Sequence, residues 1–243
     1  MSLQPLRSNL PAFLDPYLPK NKANGRPFIT LTYAQSLDSR ISKGQGQRTI
    51  ISHEETKTMT HYLRAHHDGI LVGTGTVLAD NPGLNSKWTP PTKTVPTTMS
   101  ESPRPIIIDM RQEWKFAGSK MWELYNAKQG KAPIVIVQDE PQVREPDVTY
   151  IVIGQPQFEW GSLLKKLRED YGIYSLMVEG GASVIQQLLL RPDLVDSLII
   201  TIGSTFLGVH GVEVSPEKPL NVENVDWWKG TRDSVMCATL CHD

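Results

Sequence analysis

Short apolar runs without polar alternation constrain this chain more than any other feature. Gly69-Ile-Leu-Val-Gly73, Pro105-Ile-Ile-Ile-Asp109, Ala132-Pro-Ile-Val-Ile-Val137 and Tyr150-Ile-Val-Ile153 each read as a strand buried on both sides. A sheet covered on both faces is characteristically parallel, with helical crossovers supplying the cover. The intervening segments have that character. Ser119 to Lys128 predicts a short helix, and Trp160 to Tyr171 predicts another, with Leu163, Leu164, Leu167 and Tyr171 inward and Gly172 as the stop. Upstream, Phe28-Ile-Thr-Leu-Thr-Tyr-Ala34 is a β-rich strand. Ser52-His-Glu-Glu55 then has the spacing of a capping box and opens a helix to about His67, its inner stripe formed by Met59, Tyr62, Leu63 and His66. Near the end, Leu194 to Ile202 is a strand with Val235 to Cys241 as its edge or hairpin partner. The order predicts an α/β domain with a mostly parallel central sheet, helices on both faces and an antiparallel C-terminal strand.

Residues 1–25 mix apolar residues and prolines and end in the polar run Lys20 to Gly25, so an N-terminal arm on a flexible joint is expected. Residues 26–243 form the single body, interrupted at 86–103 by a proline- and threonine-rich surface loop. With 243 residues the chain can bury a full core without disulfides. Cys237 and Cys241 lie on one face of a strand, roughly 13 Å apart, too far to bridge. Buried, reduced thiols and an intracellular, cytoplasmic location are expected. The N-terminus does not read as a secretory leader, and no apolar stretch is long enough to span a bilayer. A formal net charge of −1 argues against a nucleic-acid partner, and Lys165-Lys166-Leu-Arg168 reads as a solvated helix face.

Three segments could carry chemistry. In Ser175 to Leu190 an apolar run meets Gly180-Gly181 and then an apolar-periodic helix, so a strand enters a helix N-terminus. That turn either binds an anion with the exposed amides of the first helical turn or is a tight turn with no ligand. A carboxylate repels phosphate, so Glu179 is expected to face another part of any pocket or to cap backbone amides. Gly73-Thr-Gly-Thr-Val-Leu-Ala-Asp-Asn-Pro82 reads as a segment shaped by turns. It lacks the third glycine of a dinucleotide fingerprint, yet its threonines and Asp80 suit phosphate or ribose hydroxyls. Ser36-Leu-Asp-Ser-Arg40 follows the first strand, where Ser36 and Asp38 either meet a substrate or stabilise the turn. The histidines do not fall in metal-ligand spacing, so no metal is expected, and no Gly-x-Ser-x-Gly elbow is present. Chemistry supplied by a cofactor fits best.

Taken together, Thr30 to Ile41, Gly69 to Leu84, Arg104 to Asp109, Val178-Glu-Gly-Gly-Ala182 and Leu194-Val-Asp-Ser-Leu198 resemble, in this order, the motifs of the riboflavin-pathway reductases. The N-terminal arm and Trp227-Trp228-Lys-Gly230 are similar to the fungal stand-alone members. The resemblance implies a dihydrofolate-reductase-like fold, a homodimer, and NADPH-dependent reduction of the ribosyl group of a sugar-phosphate pyrimidine to ribityl, with hydride delivered to C1′. It further implies that the cofactor meets Thr76, Asp80, Val152, Ile153, Gly154, Gly180, Gly181, Ala182, Ser183 and Val184. The substrate-facing positions fall on Ser36, Asp38, Arg64, Asn81, Leu84, Lys87 and Glu179. Glu179 or Asp38 would stabilise a cationic iminium or deliver a proton. Arg64 or Lys87 would clamp the substrate phosphate, and Arg111 is the first choice, ahead of Lys115 and Lys131, for the cofactor's 2′-phosphate. Two positions depart from the bifunctional bacterial pattern: Ser39 replaces a glycine and Lys87 an arginine, and lysine lacks the bidentate fork. No zinc deaminase motif precedes the body. The competing expectations are a pterin reductase of the same fold and a non-catalytic NADPH-binding protein.

Overall fold

The computed structural model describes residues 3–19, 25–44, 49–91, 93 and 99–242. Its elements are α1 (Leu10–Leu14), β1 (Phe28–Gln35), β2 (Arg40–Ser42), α2 (Glu54–Ala65), β3 (Gly69–Gly73), α3 (Thr74–Asp80), β4 (Arg104–Ile108), α4 (Lys120–Asn126) and β5 (Ile134–Val137). They continue with β6 (Thr149–Val152), α5 (Trp160–Tyr171), β7 (Ser175–Gly180), α6 (Ala182–Leu189), β8 (Ser197–Ile202), β9 (Val212–Glu213), β10 (Val222–Lys229) and β11 (Ser234–Leu240). The central sheet runs β10-β11-β8-β1-β7-β3-β4-β5-β6. Every pairing from β8 to β6 is parallel, while β11 runs antiparallel to both β8 and β10. The expected mostly parallel sheet with an antiparallel C-terminal strand is therefore the one observed.

Alternation along each strand divides the core into two layers. Ile29, Leu31, Leu71, Ile106, Ile134, Leu176, Val178 and Leu198 pack under α5 and α6. Their neighbours face the other way. Met177, Ile199, Val235 and Cys237 pack against Met59, Tyr62 and Leu63 of α2 and against Leu10, Leu14, Tyr17 and Leu18 of the N-terminal arm. Further along the same face, Ile70, Val72, Ile107 and Val135 meet Val77, Trp114, Phe116 and Met121. The arm thus completes the cover over the sheet beside α2.

Several local expectations are corrected. Residues 74–80 are helical rather than a series of turns. Glycine and β-branched threonine favour a helix poorly, but burial of Val77 and a left-handed Asn81 (φ 42°) at the C-cap overcome that local preference. The capping box does not form at Ser52: His53 is the N-cap of α2 and makes no side-chain cap bond. Asp233 acts instead, accepting from the His53 amide at 2.6 Å and from the Thr56 hydroxyl, because the β10–β11 hairpin brings this buried carboxylate onto the helix end. Glu55 turns to Arg7 and to the Thr231 amide. Helix α2 ends at Ala65, short of His67, and β8 starts at Ser197, after Leu194. Strand β10 and the small β2–β9 pair carry little apolar alternation and were not foreseen. Cys237 is buried as expected, whereas Cys241 lies beyond the end of β11 and is only half-buried.

Part of the polar joint (residues 20–24), part of the Gly/Ser/Gln loop (45–48) and residues 92 and 94–98 of the 86–103 loop lie outside the described residues. Within that last loop, Met99–Glu101 form a 3-10 turn. Among the described residues no helix is long and apolar enough to cross a membrane.

The C-terminal end of α2 is pinned to the sheet by His67. Its Nδ1 lies 2.7 Å from the Leu63 carbonyl, so Nδ1 carries the proton, and Nε2 accepts from the Thr30 hydroxyl at 2.8 Å. Burial holds the imidazole neutral, its pKa pushed down to about 4. This bond sets the height of α2 along β1. Because Asp233 carries the other end of the same helix, Asp233→Ala should destabilise the protein by about 1–3 kcal/mol through the orphaned His53 amide, while the Thr56 hydroxyl keeps the His53 carbonyl as acceptor. A urea-unfolding midpoint checks this; an unchanged midpoint would show that water caps the helix equally well.

Candidate active site

The carboxyl ends of the parallel strands open into two adjoining cavities. One, of about 660 Å³, is lined by residues that include Tyr33, Ile41, Thr49, Ile51, Thr76, Asp80, Glu179 and Ile185. The other, of about 690 Å³, is lined by Thr74, Met110, Arg111, Phe158, Trp160, Ser183, Val184 and their neighbours. Gly75, Gly181 and Ala182 belong to both and form the ridge between them. Strands β3 and β7 are hydrogen-bonded neighbours, and each passes directly into a helix, α3 and α6. Their glycine turns consequently touch. A Cβ on Gly181 would stand 3.2 Å from Thr76 Oγ1, and Gly180 has φ 128°, a conformation that favours glycine. The Gly180–Gly181 peptide is cis.

Glu179 lines the first cavity and is absent from the lining of the second. It forms a bidentate pair with Arg64 from α2: Nε to Oε1 is 2.8 Å and Nη2 to Oε2 is 2.6 Å, with side chains 13% and 16% exposed. The remaining guanidinium nitrogen donates to the Asn85 carbonyl at 3.2 Å. Arg64 therefore ties α2, β7 and the 84–87 segment together. His61, one turn earlier on α2, has its pKa pushed down to about 3 by burial and then by the positive charges of Arg64 and Lys87. The neutral ring accepts from the Lys87 amide at 3.2 Å, and the His61 carbonyl accepts from Ser86 at 2.9 Å, so His61 sets the position of Lys87. Nothing in the spacing of the histidines signals this role.

The remaining expected residues divide between cleft and scaffold. Thr76 and Asp80 line the first cavity, Gly181 and Ala182 both, and Ser183, Val184 and Arg111 the second. Arg111 is highly exposed and rides on a turn held by Asp109, whose carboxylate accepts from the Glu113 and Trp114 amides. Val152, Ile153 and Gly154 line neither cavity; the chain reaches the second one just beyond them, at Pro156, Gln157 and Phe158. Asn81 accepts from the Lys120 amide, and the Leu84 side chain is buried in the core beside Ile70 and Val72, because that apolar side chain fills the space under α4. Lys87 is exposed.

Ser36 and Asp38 stabilise the turn after β1. The Ser36 hydroxyl donates to Asp38 Oδ1 and accepts from the Arg40 amide, while Asp38 also accepts from the amides of Leu207 at 3.0 Å and Gly208 at 2.7 Å. The Ser36 hydroxyl, followed by the Leu207 amide, holds the Asp38 pKa down at about 2. Asp38 lines neither cavity. The apolar lining at Tyr33, Ile41, Ile51 and Ile185 was missed, since such residues look like core until the fold leaves their space empty.

Comparison with known proteins gives a consistent result. The family model described as "RibD C-terminal domain" matches residues 27–236. The 2,5-diamino-6-ribosylamino-4(3H)-pyrimidinone 5′-phosphate reductase of Saccharomyces cerevisiae is 57% identical over 250 residues, covering 100% of each chain. The protein of that name from Eremothecium gossypii is 56% identical over 245 residues, covering 99% of this chain and 100% of its own. Among solved structures, the riboflavin biosynthesis reductase of S. cerevisiae superposes with a TM-score of 0.83 at 53% identity, covering 96% of this chain and 100% of that one. Acinetobacter baumannii RibD shares the fold, with a TM-score of 0.74 at 22% identity, covering 90% of this chain and 60% of that one.

The Asp38 network has a pH signature. A carboxyl whose pKa is lowered from 3.8 to about 2 stabilises the fold above its unfolded value and loses that contribution as pH falls toward about 2. The melting temperature of Asp38→Asn should therefore lie below that of the native protein at neutral pH, and the difference should close through that acid window. A difference independent of pH would contradict the assignment.

Proposed function

The chain belongs to the RibD C-terminal domain family, and from that membership and its paired cavities we propose that it reduces 2,5-diamino-6-ribosylamino-4(3H)-pyrimidinone 5′-phosphate to the ribitylamino product, as an NADPH-dependent enzyme of riboflavin biosynthesis. Its fold is the dihydrofolate-reductase-like α/β architecture. The observation that carries the reading is the side-by-side meeting of two strand-to-helix glycine turns between two cavities, one holding a carboxylate and the other a cation.

The residues present suit a phosphorylated dinucleotide. Beyond its chain neighbours and its own helix backbone, no atom of the described residues lies within 4 Å of a Cβ built on Gly75, and that position opens onto both cavities, so a ligand backbone can cross the ridge there. The first residues of α6 line the second cavity, where the unpaired amides of Ala182, Ser183 and Val184 would receive the diphosphate. Arg111, on its Asp109-braced turn, would meet the 2′-phosphate, and Thr76 and Asp80 would bound the ring-bearing half. Bound there, NADPH would supply a hydride to C1′ once the bond from C1′ to the ring oxygen has broken to leave an iminium, the freed oxygen taking a proton from solvent.

The chain's own contribution is orientation and charge. Glu179, with both oxygens accepting from Arg64, serves as a fixed anion beside the developing positive charge at C1′ and its nitrogen. Arg64 is occupied in holding that carboxylate, so Lys87, brought close by His61, takes the substrate's phosphate. Asp38 and Ser36 keep the 205–208 loop in place and do not transfer a proton. Residues 26–243 act as one reductase domain and residues 1–25 as its packing arm. A homodimer is part of the same reading: β10 is one of the two edge strands of the sheet, with Trp227 and Val225 exposed on it. The protein operates in the cytoplasm, without nucleic-acid or membrane partners.

The deciding experiment follows NADPH absorbance with the ribosylaminopyrimidine phosphate and, separately, with dihydrofolate. Oxidation should depend on the former alone; turnover of dihydrofolate instead would make the protein a pterin reductase, and binding without turnover a sensor. In the same assay Glu179→Gln should lower turnover by about 10²-fold while NADPH affinity is kept. Unchanged turnover would remove Glu179 from the chemistry. Arg111→Ala should raise the KM for NADPH far more than that for NADH, and equal effects on both would reject Arg111 as the 2′-phosphate partner.

A further inference from the structure

We infer that Tyr33 grips the ring end of the cofactor, its phenolic O–H donating a hydrogen bond to the nicotinamide carboxamide and its ring forming part of the wall against which the nicotinamide lies. This rests on NADPH occupying the paired cavities as proposed above. Three observations carry the assignment. Tyr33 lines the first cavity, at the carboxyl end of β1. No hydrogen bond joins its hydroxyl to any described residue, yet that oxygen is not among the buried unpartnered side-chain atoms, which are Arg40 Nε, His53 Nδ1 and Ser197 Oγ. The phenol therefore reaches solvent with its hydrogen-bonding capacity unspent. Burial raises its pKa above the usual 10, so at neutral pH it is a hydrogen-bond donor and not a base.

Alternation decides which occupant of the cavity it meets. Ile29, Leu31 and Tyr33 share one face of β1, and Tyr33 packs with the cluster that contains Ile185 and Ala182 of α6. Glu179 turns to the opposite face, toward Arg64 of α2. The first cavity thus has an α2 side holding the charged pair and an α6 side holding Tyr33. A dinucleotide with its diphosphate at the start of α6 crosses the ridge at Gly75 and Gly181 and arrives on the α6 side, leaving the α2 side to the sugar. Tyr33 faces the former.

The test compares native protein and Tyr33→Phe by calorimetry with NADPH and with 2′,5′-ADP, which carries the phosphate-bearing half but no nicotinamide. Phenylalanine keeps the ring, and removal of an unpartnered hydroxyl leaves no orphan inside the protein. The dissociation constant for NADPH should rise about five- to tenfold while that for 2′,5′-ADP stays unchanged, and the fluorescence of bound NADPH should move toward that of the free dinucleotide. Equal NADPH affinity and emission in both proteins would overturn the role of Tyr33. Parallel weakening of both ligands would also overturn it, assigning the residue to structure. Failure of the native protein to bind NADPH would instead bring down the cofactor reading, and this inference with it.

Discussion

The parallel pairing of β3 with β7 is the constraint from which the site follows. With Leu71 opposite Val178 and Val72 opposite Gly180, the two strands end at the same level, and each passes straight into a helix. Two helix starts are thereby held side by side within van der Waals range: a Cβ on Gly73 would lie 3.5 Å from the Gly181 nitrogen, and one on Gly181 only 3.2 Å from Thr76 Oγ1. The ridge they make divides the cleft and leaves exposed amides on one side of it. Strand pairing, a property of the backbone, fixes where the ridge lies.

Electrostatics then assigns the two halves. The partly buried Arg64–Glu179 pair joins α2 to β7, with Glu179 at the wall of the first cavity. Partial burial makes such a pair sensitive to loss of one member, because the survivor keeps its desolvation cost without compensation. Two bonds to one planar guanidinium also remove rotamer freedom from the carboxylate, so Glu179 presents a charge of fixed direction. The helix carrying Arg64 is itself held at both ends, by His67 on Thr30 and by Asp233 at the N-cap. The position of one charge at the cleft is consequently determined by contacts from β1 and from the C-terminal hairpin.

Acidic residues near the cleft divide by what the backbone demands of them. Asp38 accepts from Leu207 and Gly208, Asp109 from Glu113 and Trp114, and Asp233 from His53. Each satisfies amides that a turn or helix end leaves without partners. In sequence Asp38 alone of the three reads as a candidate for acid-base work. Glu179 differs because both its oxygens accept from a guanidinium and it lines a cavity.

The sequence by itself determined the class of fold and the location of the Gly180-Gly181 turn, since strand burial and helix periodicity are written in apolar spacing over short range. It likewise pointed to Glu179, Thr76 and Asp80 through ordered motifs, and to Arg111 as a cation just beyond one of them. The helical state of residues 74–80, the capping of α2 by Asp233, and the apolar wall at Tyr33, Ile41 and Ile185 were decided only by the tertiary structure. The reason is physical: a helix too weak to form alone forms when Val77 is buried, and a cap can come from 180 residues away. An apolar or aromatic side chain becomes part of a wall and not of a core only where the folded chain leaves a cavity beside it.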